Sequence, residues 1–148
     1  MRAASLSLVF AVLLSGTALA LPSTTIAVHT AKGSDTFKVE VAGDHASQEK
    51  GLMFRKTMAP NAGMLFDFHT TVMTTFWMKN TILPLDIIFI RSDGTISSIA
   101  GNAVPYSEAP IPSSEPIRAV LEINGGRAKA LGIEPGDKVS GSIFIPGH

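Results

Sequence analysis

Two carboxylates, Asp86 and Glu122, each interrupt a strongly apolar stretch, Leu85–Ile90 (LDIIFI) and Ala119–Ile123 (AVLEI). Strand alternation would put Asp86 on the face of Ile88 and Ile90, and Glu122 on the face of Val120. A carboxylate in such a setting needs a partner, or its pKa rises and it takes up a proton. The available partners are Lys79, Asn80, Arg55 and Arg127. One reading is a polar pocket in which an acid pair and a lysine bind or protonate a ligand, with Arg55 as an anion clamp. The other is a buried ion-pair network that sets strand register. The run Trp77-Met78-Lys79-Asn80 adds a flat aromatic platform for a sugar, a ring or a cation, with a point charge beside it. A lone Trp also suits a core position. Asn80 tolerates the positive φ of a tight turn, so it can be present for the backbone alone.

Other chemistries find less support. Five of the six methionines, at 53, 58, 64, 73 and 78, fall in one block and invite a copper(I) site. No Met-x-Met or Met-x-x-Met pair occurs among them, and packing of irregular core gaps accounts for the same residues. Zinc lacks cysteine and any close histidine pair. There is no Gly-x-Ser-x-Gly elbow and no serine with an evident histidine partner. Gly125-Gly126 before a short helix is better read as a tight turn than as an anion cradle. The sequence therefore implies no metal and no cofactor.

These residues must be positioned by a small domain. Residues 1–20 read as a secretory signal peptide, with Arg2, an apolar core Leu6–Leu14 and the small-x-small pattern Ala18-Leu19-Ala20. Residues 21–148 then form a single β-rich domain, exported to the periplasm or secreted. Membrane association follows only if the N-terminal segment stays uncleaved. With no cysteine, packing alone must hold that domain together. Lys and Arg number 12 and Asp and Glu 12, without a run of like charge, which argues against nucleic acid as a partner.

Period-two alternation in 24–29 and 36–41 around Lys32-Gly33-Ser34-Asp35 predicts a hairpin. Asp44 is an N-cap for a short helix near 46–55, weakened by Gly51. Strands follow at 64–68, 74–78, 85–90, 95–100, 119–123 and 138–145, with a second short helix at 127–131 closed by Gly132. Residues 101–118 hold four of the nine prolines and no periodicity, and read as a long loop, functional or wrapped over one end of the fold. The expected class is mainly β, a small single-domain sandwich or barrel with two short helices.

Gly51-Leu52-Met53-x-Arg55, Gly63-Met64-Leu65-Phe66, Phe76-Trp77-Met78-Lys79-Asn80-Thr81 and Pro84-Leu85-Asp86 resemble the central motifs of domain-of-unknown-function family 192, also called UPF 0127. The resemblance runs on through Val120-Leu121-Glu122, Gly132-Ile133 and Gly136-Asp137, and covers residues 24–145. It implies a small, mainly β domain, often exported or membrane-associated, with no assigned activity and no catalytic residues to carry over. Gly125 departs from the pattern, where a small residue such as Ala is expected. Convergent polar groups without a nucleophile then favour a non-catalytic binding or accessory module, its pocket lined by Arg55, Trp77, Lys79, Asn80, Asp86 and Glu122. Its partner would be an unidentified small molecule or protein. The alternatives are a hydrolase-like enzyme using Asp86 and Glu122 as acid and base, and a purely structural, partner-binding domain.

Overall fold

A computed structural model describes residues 19–145; the signal-peptide reading of 1–20 falls almost wholly outside them. The predicted hairpin is β1 (Ser23–Thr30) against β2 (Gly33–Ala42), with Ile26 facing Phe37 and both buried. α1 (His45–Lys50) starts on a reciprocal cap, in which the Ser47 N–H donates to Asp44 at 2.8 Å and the Asp44 N–H to the Ser47 hydroxyl. It ends sooner than the sequence suggests, because Gly51 turns out of the helix at φ 49°. β3 (Ala62–Val72) then runs parallel to β2, with α1 as the crossover.

The segment expected as a strand at 74–78 shrinks to β4 (Thr75–Phe76). β5 (Leu85–Ile90) and β6 (Ile96–Ala103) follow. The proline-rich stretch contributes β7 (Ile111–Pro112), which pairs with β4. Next come β8 (Ile117–Asn124), α2 (Arg127–Leu131), β9 (Lys138–Ser140) and a 3-10 turn at Ser142–Phe144. The last strand is cut short at this turn.

Seven strands form one sheet in the order β6-β5-β8-β3-β2-β1-β9. The sheet curls into a half-barrel, and its two edges touch. Thr95 bridges Lys138, the Ile96 N–H donates to the Asp137 carbonyl at 2.8 Å, and the Gly136 N–H to the Ile96 carbonyl at 2.8 Å. The expected mainly β domain with two short helices is therefore realised as a barrel-like sheet, not a sandwich. Both faces of the sheet are apolar. One carries Phe37, Leu65, Ile88, Leu121 and Ile123, closed by Ala128 and Ile133. The other carries Met64, Phe66, Ile87, Phe89 and Val120, closed by Leu52 and Met78. LDIIFI is apolar throughout because its alternate residues enter two different cores.

Candidate functional site

Register decides the fate of the two carboxylates. β5 and β8 pair so that Asp86 lies opposite Ile123 and Ile87 opposite Glu122. Opposed residues share a face, so Asp86 and Glu122 lie on opposite faces of the sheet. The acid/base pair expected from sequence cannot act on one substrate. Nor, among the described residues, does Asp86 pair with a lysine or arginine. It is 1% exposed and accepts three backbone N–H bonds, from Asn102 at 2.7 Å, Gly126 at 2.9 Å and Ala128 at 2.7 Å. α2 begins at Gly126, which has no side chain to cap it, and Asp86 supplies the cap from another strand.

Glu122 takes the other face, flanked by Met64 on β3 and Ile87 on β5. It is 4% exposed and, among the described residues, has neither an ion pair nor a hydrogen bond. Burial alone pushes its carboxyl up to about 8. The carboxyl opens on a small chamber of about 40 Å³, walled by Leu52, Met53, Phe66, Phe76, Trp77 and Thr81, with Gln48–Gly51 across it. An outer chamber of about 360 Å³ shares Gln48, Glu49, Phe66, Phe76 and Trp77 and adds His45, Phe68, Thr74 and Thr75. The two form a cleft between α1 and the 74–81 segment. Phe66 and Phe76 meet edge to face with ring centroids 4.9 Å apart, and Phe76 meets Phe89 likewise at 6.1 Å.

The 77–81 turn sets the rim. Met78 points into the core, and Trp77 and Lys79 point out. Trp77 is thus a wall of the cleft rather than the core residue its rarity suggests, 46% exposed, with the Lys79 Nζ 4.9 Å from its ring centroid. Asn80 adopts φ 52°, and its carbonyl accepts the Phe54 N–H at 2.9 Å, a backbone role. The 101–118 stretch braces this turn. The Ser107 carbonyl accepts the Met78 N–H at 2.8 Å, and Ser113 and Thr74 exchange two bonds.

Arg55 lies elsewhere. It grips Glu40 with both terminal nitrogens, the Nη2–Oε1 contact being 2.9 Å, and holds that carboxyl below its ordinary range. The pair lines an open groove of about 630 Å³ with Lys38, Met58 and Pro60. Of the six residues proposed from sequence, the structure brings Trp77 and Glu122 together, with Lys79 and Asn80 shaping the rim, and separates Arg55 and Asp86. Sequence reasoning missed Phe66, Phe68, Phe76, Gln48 and Glu49. Phe66 and Phe68 follow Met64 at period two, a visible signal, but their approach to Glu122 depends on strand pairing.

Residues 27–141 match DUF192, a family described as "Uncharacterized ACR". Two solved structures resemble the chain at 48% identity. One, from Sinorhizobium meliloti 1021, is described as "a putative transcription regulator"; the match has a TM-score of 0.83 and covers 86% of this chain and 99% of that one. The other, a protein of unknown function from Novosphingobium aromaticivorans DSM 12444, matches with a TM-score of 0.80 over 86% of this chain and 89% of its own. No curated protein matches the chain.

Proposed function

Because this chain belongs to the uncharacterised DUF192 family, its role has to be argued from its own site, and we propose an exported, non-catalytic binding module whose cleft takes a small organic ligand. One observation carries this reading. Glu122 is a nearly buried carboxyl without a partner among the described residues, on the floor of a cleft whose walls are aromatic. An unpaired acid in an apolar sheet is costly, and convergence of aromatic walls with one polar group is the usual make-up of a ligand site. No nucleophilic Cys is present in the sequence, and Asp86 is committed to backbone amides on the far face.

Export draws support from the edge of the fold. Leu21 packs against the core, and the Pro22 carbonyl accepts the Val41 N–H at 2.7 Å, whereas Leu19 is 93% exposed. Cleavage after Ala20 would leave Leu21 and Pro22 in place. Control of transcription, suggested by the description of the Sinorhizobium neighbour, finds less support. Basic and acidic residues balance at 12 each, and α1, the longer of the two α-helices among the described residues, has six residues.

Trp77 is the only tryptophan, so its emission reports on the cleft. Titration of the folded protein with amines, amino acids, cell-wall sugars, small anions and Cu(I) is expected to give a saturable change with at least one class. A folded protein whose Trp77 emission and cleft amide shifts respond to none of them would remove the binding reading.

A further inference from the structure

Resting on that reading, we infer that the inner chamber seats a primary alkylammonium head group, with the carbon body of the ligand lying in the outer chamber. The lining selects for positive charge. Phe66, Phe76 and Trp77 line the chamber, and an aromatic face attracts a cation, as the Lys79 Nζ at 4.9 Å from the Trp77 ring centroid shows. Glu122 forms the floor, Glu49 lines both chambers and Lys50 lines the inner one; a cation gains a carboxylate at Glu122 by displacing its proton, which an anion cannot do. A neutral hydroxyl could bond to Glu122 but would gain nothing from the rings.

Size narrows the class further. About 40 Å³ has room for a few water-sized groups, enough for an ammonium and its adjoining methylene. A sugar ring or a quaternary ammonium is too large for it and would stop in the outer chamber of about 360 Å³.

The charges around Glu122 are few. α1 contributes Glu49 and Lys50, the latter exposed at the last turn, and His45 stands in the outer chamber. Lys79 is exposed over Trp77, and the strands on either side offer Met64 and Ile87, neither of which titrates. Without a ligand Glu122 holds its proton near neutrality, since burial raises its carboxyl to about 8. Seating an ammonium beside it favours the carboxylate. One proton then leaves to solvent for each R–NH3+ bound, and charge balances. Apparent affinity should therefore climb by up to about tenfold per pH unit below about 8.

The test is calorimetry on the full chain with n-butylammonium, n-butanol and butyrate as probes, at pH 6.5 and 7.5, in two buffers of different ionisation heat. Butylammonium is expected to bind at least tenfold more tightly than butanol, with close to one proton released at pH 6.5. Glu122→Gln should lose both the preference and the proton release while keeping a native Trp77 emission. Equal binding of the alcohol, preference for butyrate, or amine binding without proton release would overturn the ammonium assignment. If that variant fails to fold, proton counting on the unaltered protein still decides. Sugars that shift Trp77 emission when amines do not would remove this inference and leave the binding module standing; silence from every probe class would remove both.

Discussion

The guanidinium of Arg55 meets both carboxylate oxygens of Glu40, yet the two side chains remain 37% and 33% exposed. Water screens such a pair, and its net worth is at most ~1 kcal/mol. Arg55→Ala is therefore expected to lower stability by less than about 1 kcal/mol in urea unfolding and to leave any Trp77 titration unchanged. A large loss of ligand response in that variant would return Arg55 to the site. Residue type alone could not separate these roles, since a clamp and a surface pair use the same guanidinium. Trp77 illustrates the same limit. Its burial tendency pointed inward, but the turn that buries its neighbour Met78 leaves the indole lining the cleft.

At the level of elements, Asp86 serves α2. Five residues cannot hold a helix by propensity alone, and α2 has no side-chain cap of its own. Asp86→Ala would leave three backbone amides without their acceptor, the Ala128 amide buried and those of Asn102 and Gly126 part-buried, and is expected to cost roughly 2–3 kcal/mol, read as a lowered unfolding midpoint. Asp86→Asn keeps one oxygen, which can still serve Asn102 and Gly126 from the Oδ1 position, and leaves the Ala128 amide unmet. Hydrogen exchange should accelerate first at Ala128 in that variant. Unchanged protection there would show that α2 stands without its cap. The positions of β1 and β2 were legible from alternation, β5 from its apolar run, α1 from Asp44 and Gly51, and α2 from Gly132. β4 and β7 were not, since a two-strand ladder at Thr75–Phe76 and Ile111–Pro112 joins segments about 35 residues apart with no pattern of their own.

For the whole molecule, the mainly β class was legible from short strands and their turns, but the curl of the sheet and the contact between its edges at Thr95 and Lys138 come from long-range pairing. The same pairing put Asp86 and Glu122 on opposite faces, which no spacing in the chain announces. It also gives the protein an unusual dependence on pH. Glu40, Asp44, Asp93 and Glu115 all have lowered carboxyls, Asp93 to about 2 through the Thr95 amide and Lys138, so their stabilisation is lost as pH falls through the acid range. Glu122 works in the opposite sense. Its folded pKa of about 8 lies above the ordinary 4.5, so the native state holds a proton that the unfolded chain has released between those values. Stability then declines as pH rises from 4.5 to 8, by up to ~1.4 kcal/mol per unit and a few kcal/mol in all, and levels off above. The two trends place the optimum near the lower end of that window, below neutrality. Urea midpoints measured from pH 3 to 9 should peak there in the native sequence, whereas Glu122→Gln should hold a plateau to pH 8 and be the more stable protein at that pH. A native profile flat from pH 5 to 8 would mean that Glu122 is ionised at neutrality and that a partner or water in the cleft already compensates it.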